Sequence, residues 1–155
     1  LTPRPAVEIV AASPAHVGTI AARMRAADVA ECRAFGHSPR QALRSGLMGS
    51  TISLTAKVEG RPEAMIGLAP VSLIEGKGTP WMLGTDAIHR QARALLTIGP
   101  AIIARFLDSS PSLANLVSAR NDRALRLLKA LGFEIGDEVE MIGGIPFLGF
   151  AMERL

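Results

Sequence analysis

Apolar and polar positions change period several times along the chain, and the changes divide it into elements. Val7–Ala11 is a short β-type run. Ser13-Pro14 follows, a helix-starting pair: the serine oxygen accepts from first-turn amides, and proline suits the first helical position, where its missing N–H costs nothing. Apolar residues at Val17, Ile20, Ala21, Met24, Ala27, Val29 and Ala30 predict one helix to about Phe35, stopped by Gly36. Ser38-Pro39 repeats the start signal, and Gln41–Leu47 reads as a second, shorter helix.

The period then shortens to two. Thr51–Val58 alternates and is rich in β-branched residues. Glu59-Gly60-Arg61-Pro62 is a turn, Ala64–Ile74 a second strand, Glu75–Pro80 another turn and Trp81–Thr85 a third strand. Pro70 predicts a bulge or an edge, because proline cannot donate to a ladder. The short turns make these three strands an antiparallel meander. Ala92–Leu107 reads as a helix with a kink or break near Gly99, before Pro100. Leu113–Ala119 is a strand, Asn121 or Asp122 caps a helix that stops at Gly132, and Glu138–Ile142, Gly143-Gly144 and Phe147–Glu153 form a hairpin. The order β-α-α-β-β-β-α-β-α-β-β predicts an α/β fold, a mixed, mostly antiparallel sheet flanked by helices.

Composition narrows the class. With 155 residues, 48% hydrophobic and 20% charged, the chain reads as one folded domain, 1–155. No apolar run reaches the ~18 residues that span a bilayer, so no membrane partner is expected. The segment LTPRPAVEIV lacks the basic start and apolar stretch of a signal peptide. The single cysteine, Cys32, fits a reducing compartment and a cytoplasmic location, and reads as a half-buried helical thiol. Net charge is only +3, without a basic block or basic–aromatic interleaving, so no nucleic-acid partner is expected. The three histidines lack ligand spacing, and no metal is expected.

The segment Asn121-x-x-Ala124-x-x-Leu127-x-x-x-Leu131-Gly132-Phe133 and the element order resemble the GCN5-related N-acetyltransferase (GNAT) fold. Three further runs resemble phage acetyltransferase-like proteins of the internal-virion type: Asp28…Glu31…Gly36…Ser38-Pro39, Trp81–Thr85 and Ala119-Arg120-Asn121. The resemblance implies acetyl-CoA as co-substrate. Its pantetheine arm would pair with the Trp81–Thr85 strand along Met82, Leu83 and Gly84, where the neighbouring strand diverges. Its pyrophosphate would sit at the next helix N-terminus, over Arg90, Gln91, Ala92, Arg93 and Ala94. Asn121 would contact the cofactor, cap its helix, or do both.

Two departures from that family stand out. The loop Asp86–Ala94 has none of the glycines that let a backbone approach phosphate, so Arg90 and Arg93 would contact it by side chain. The chain has no tyrosine, and Leu128 stands where many members carry a tyrosine proton donor. Candidate bases for the attacking amine are Asp28, Glu31, Asp86 and His37. Asp28 and Glu31, three apart, share a helix face that suits a cationic amine or is simply solvated. Asp86 could equally cap the next helix. His89 reads as a surface residue, Trp81 as packed in the sheet, and Met65 and Met82 as core. Two functions remain open. One is acyl transfer from acyl-CoA to the amine of a small molecule or protein lysine. The other is a binding protein on the same fold, with a virion or host-directed role. The closing hairpin's edge could pair with a second copy.

Overall fold

The computed structural model describes residues 6–155; the five residues before them, part of the segment read above for a signal sequence, lie outside the described residues. In order the elements are β1 (Val7–Ala11), α1 (Pro14–Ala22), α2 (Ala26–Ala34), α3 (Pro39–Gly49), β2 (Ile52–Val58), β3 (Arg61–Ser72), β4 (Lys77–Gly84), α4 (Asp86–His89), α5 (Ala92–Ser109), β5 (Ser112–Ser118), α6 (Asp122–Ala130), β6 (Glu134–Ile142) and β7 (Ile145–Glu153). The strands form one sheet ordered β1-β2-β3-β4-β5-β7-β6, in which only β4 and β5 run parallel. Among the described residues no helix is long and apolar enough to cross a membrane.

Local chemistry sets most boundaries. Ser13 and Ser38 cap α1 and α3 in reciprocal boxes, with His16 and Gln41 reaching back to the cap amides. The meander β2-β3-β4 forms as expected, and its register shifts between Pro70 and Ser72. Gly143 and Gly144 turn the β6–β7 hairpin at φ 56° and 79°, which side-chain-bearing residues rarely adopt.

Three expectations are corrected. The single helix to Phe35 is two, because the chain leaves α1 after Ala22 and Met24 bridges Thr85 at the end of β4. The apolar repeat hides the break: Met24 joins Val17 and Ile20 in one core cluster although its backbone is extended. Pro100 does not break α5. Its ring deprives the Leu96 carbonyl of a partner, but Leu96 is exposed, so water can satisfy it. β4 begins at Lys77, inside the segment read as a turn. Pro80 is tolerated there because its nitrogen faces β5 at a point where β4 has no strand partner.

Helices α1–α3 cover one face, packing Val17, Ile20 and Leu43 on Met65, Trp81 and Leu83. Helices α5 and α6 cover the other, where Phe106, Ile102 and Leu128 meet Ile66, Leu68, Phe133 and Phe150. Trp81 lies between α3 and β3 with its indole N–H donating to Ser50 Oγ at 2.8 Å. A Cβ at Gly67 would lie 2.5 Å from the indole, and one at Gly46 2.6 Å. Both glycines therefore exist to admit the ring. Gly67→Ala is expected to cost about 1–3 kcal/mol through overpacking. Urea denaturation followed by Trp81 fluorescence checks this, and an unchanged midpoint would contradict it.

Candidate functional site

β4 and β5 pair only at Lys77–Ser112 and Gly78–Leu113, then splay apart. The Asn115 side chain crosses the start of the gap, donating from Nδ2 to the Pro80 carbonyl at 2.8 Å. Strand alternation then decides which groups of β4 face the gap. Pro80 and Gly84 both bond into it, and Thr85 N donates the other way, to Glu63 O. Met82, midway between Pro80 and Gly84, thus turns its N–H and C=O toward the gap. The gap opens into a cavity of about 470 Å³. Met82, Leu83, Asn115, Val117 and Leu128 line it, with Asp28 and Glu31 projecting from α2.

The acids of α2 are not a solvated face. Asp28 is buried; its Oδ2 accepts the Gly84 N–H at 2.9 Å and its Oδ1 accepts from Arg25 at 2.8 Å. Glu31 Oε1 accepts the Ser118 N–H at 2.9 Å and the Asn121 side-chain N–H at 3.0 Å. Arg25 donates twice to Asn121 Oδ1, at 3.2 Å each, and its backbone N–H donates to Gly84 O at 3.0 Å. Asn121 Oδ1 also accepts the Ala124 N–H at 3.3 Å, so Asn121 caps α6 and joins this network together. The two carboxylates thereby stitch the C-terminal ends of the diverging strands, one amide each. Gly84 has both backbone groups occupied. Among the described residues Glu31 Oε2 has no hydrogen-bond partner, and it is the carboxylate oxygen left for a ligand in the cavity.

Electrostatics follow burial. Burial pushes the Asp28 carboxyl up to about 6, against the pull of the Gly84 amide and Arg25. His89 is buried in the cavity wall, a correction to its reading as a surface residue. The one-turn helix α4 folds Ile88 and His89 inward together. Burial, then the charges of Arg25 and Arg123, lower its imidazole to about 4, so it is neutral at pH 7. Burial and the two α2 acids push the Cys32 thiol up to about 11, leaving no nucleophilic thiolate.

The remaining expected residues lie elsewhere. Asp86 is exposed and outside the cavity lining. It is the first residue of α4, whose cap position belongs to Thr85, so it is not the cap either. Arg90, Ala92 and Arg93 are exposed, and Gln91 and Ala94 half-buried, around the start of α5. Gln91 occupies the α5 cap position without a side-chain cap bond, which leaves first-turn amides open. His37 is an exposed loop residue at the cavity rim. Sequence reasoning missed Arg25 and His89. Arg25 shows a local signal, an acid three residues on, but its partner Asn121 is 96 positions away.

No protein-family model matches the sequence, and no curated protein matches it. Solved structures do match. RimL, a ribosomal L7/L12 alpha-N-protein acetyltransferase in complex with coenzyme A, superposes with a TM-score of 0.68 at 10% identity, over 96% of this chain and 94% of that one. Ard1 from Thermoplasma volcanium gives 0.68 at 15% identity, over 96% and 98%. An aminoglycoside acetyltransferase in complex with coenzyme A gives 0.67 at 12% identity, over 96% and 95%. The fold is that of the GCN5-related N-acetyltransferases. At these identities the likeness establishes the GNAT architecture, and the cleft between β4 and β5 is read from the geometry above.

The Asp28 and His89 shifts act on stability with opposite sign. Unfolded, the groups return to 3.8 and 6.5. Between about pH 4 and 6 the folded state keeps the Asp28 proton that the unfolded chain has lost, so stability falls as pH rises, by up to about 3 kcal/mol. Between about pH 4 and 6.5 the unfolded chain holds a His89 proton that the folded state rejects, so stability rises with pH by a similar amount, about 3 kcal/mol. In the wild type the two contributions nearly cancel. His89→Gln should expose a fall in stability with rising pH, and Asp28→Asn a rise. Urea denaturation across that window checks the signs; parallel profiles for the two variants would contradict them.

Proposed function

We propose that the protein is an acyl-CoA-dependent N-acyltransferase whose donor lies in the β4–β5 gap. One observation carries the reading: β4 turns the N–H and C=O of Met82 toward a cavity where strand pairing has stopped. A pantetheine arm carries amides and can pair there as an extra strand. The uncapped start of α5, with Arg90 and Arg93 beside it, suits the pyrophosphate through open amides and charge-assisted bonds. The fit is tighter than an open splay would give, because Asp28 and Arg25 already occupy both backbone groups of Gly84. Pairing is therefore assigned to Met82, whose C=O accepts a pantetheine amide N–H while its own N–H is kept for the thioester carbonyl, with Leu83 contributing packing and Gly84 a boundary.

The amine acceptor, a small molecule or a protein lysine, enters from the α2 side, where Glu31 Oε2 meets its nitrogen. Glu31 removes the proton and is the catalytic base. The amine nitrogen attacks the thioester carbonyl, the C–N bond forms, and the oxyanion develops toward the Met82 N–H. Collapse breaks the C–S bond and sends its electron pair to sulfur; solvent protonates the thiolate, since Leu128 has no proton to give. The products are the N-acylated amine and free coenzyme A. Asp28 is a positioning residue, holding Arg25 and Gly84. The chemistry needs only cytoplasmic metabolites, in keeping with a reducing location.

The occupied Gly84 and apolar Leu128 also favour a second reading, a binding protein on the same fold, as the phage-type resemblance implies. Turnover of acyl-CoA with an amine panel separates the two. Coenzyme A at 100 times its dissociation constant should add about 2.7 kcal/mol of stability. Replacing Arg90 and Arg93 together with alanine should remove that gain. A thermal-shift titration checks both, and no shift in the wild type would contradict the enzyme reading. Glu31→Gln should lower kcat by about 10²–10⁴-fold with KM for acyl-CoA little changed. Equal turnover by the variant would reassign the base.

A further inference from the structure

A second cavity, of about 130 Å³, lies on the opposite face of the sheet, beneath α5 and α6. Its walls include Ile66, Ile98, Ile102, Phe106, Leu131 and Phe133. Among the described residues no charged side chain lines it, and Trp81 borders it only with its main chain, since the indole points to the opposite face, toward Ser50. It shares Pro80, Trp81, Met82, Leu127, Leu128 and Phe150 with the larger cavity, so the two hollows meet where β4 faces α6. Leu128 belongs to that common wall and presents a hydrocarbon surface to both sides.

We infer that this hollow is the seat of a medium-length acyl chain, making the preferred donor a thioester with about four to six carbons beyond its carbonyl. The inference rests on the acyltransferase reading and specifies its donor. A thioester carbonyl at the Met82 N–H sits at the junction of the two cavities. An acetyl methyl would leave the apolar hollow unfilled, whereas a longer chain can turn past Met82 into it. The length follows from volume: a cavity of roughly 150 Å³ lined by Leu, Ile and Phe takes up a six-carbon ring. Polar occupants are disfavoured, because nearly every wall group is hydrocarbon and a buried polar atom would lose its hydrogen bonds. Gly99 helps to set the shape. A Cβ there would lie 2.7 Å from Leu131 Cδ2, so the glycine lets α6 keep Leu131 in the wall without displacing it.

Calorimetric titration of the full chain with coenzyme A and with acetyl-, butanoyl-, hexanoyl- and dodecanoyl-CoA tests the inference. Each buried methylene should raise affinity about fourfold, so hexanoyl-CoA should bind on the order of 10²-fold more tightly than acetyl-CoA. The gain should stop before dodecanoyl-CoA, whose chain exceeds the hollow. Ile98→Trp should fill the space and bring the hexanoyl-to-acetyl ratio toward one, and Ile102→Ala should move the optimum to longer chains. The enlarging variant keeps the test decisive should the tryptophan prevent folding. Equal affinity for acetyl- and hexanoyl-CoA would overturn this inference and leave the coenzyme A reading intact. Failure of coenzyme A and all its thioesters to bind would overturn both.

Discussion

Everything at the cleft depends on two carboxylates that replace missing strand pairing. Where β4 and β5 diverge, each strand loses ladder partners, and a buried amide without a partner costs about 1–3 kcal/mol. Asp28 takes the Gly84 amide and Glu31 takes the Ser118 amide, one at the end of each strand. The i,i+3 spacing on α2 lets one helix span the gap. Arg25 and Asn121 complete the network and tie it to the start of α6. The splay is thus closed at its far end by side chains and at its near end by Asn115. Between these closures the Met82 backbone is left facing the cavity.

The network also explains why α1 and α2 are separate helices. A continuous helix would keep the Arg25 N–H inside its own ladder, whereas here it donates to Gly84 O. The extended pair Met24–Arg25 gives a backbone donor to β4 and sets the direction in which α2 carries its acids. The cost is that Arg25 and Asp28 hold their charges away from water, beside a buried imidazole. Asp28 registers it as a raised carboxyl and His89, facing Arg25, as a lowered imidazole. The polar side of the gap is consequently tied by side-chain hydrogen bonds, with Glu31 Oε2 the carboxylate oxygen left open among the described residues. The side that faces α5 and α6 is hydrocarbon.

Much of the fold was legible because its signals are local. Ser13-Pro14 and Ser38-Pro39 start helices, Gly143-Gly144 turns a hairpin, and Pro70 marks a register shift, each through the chemistry of a few neighbouring residues. The break at Arg23–Arg25 was not legible, because Met24 keeps the helical apolar period while its backbone bridges Thr85. The site was legible only in kind. Asp28, Glu31 and Asn121 could be singled out by type and spacing, but their partners Gly84, Ser118 and Arg25 are tens of residues away. His89 was misjudged: a single helical turn at Asp86–His89 puts the acid outside and the imidazole inside. Nothing in the adjacent sequence marks that turn.

The central claim is that the cleft side of β4 offers one free backbone unit, at Met82, to an acyl-CoA. Amide hydrogen exchange measured residue by residue by NMR, with and without acetyl-CoA, tests it most directly. The account predicts slower exchange at the Met82 amide on addition of acetyl-CoA, and little change at the Gly84 amide, which Asp28 already holds. Unaltered exchange at Met82 under saturating acetyl-CoA, or new protection at Gly84 in its place, would contradict it.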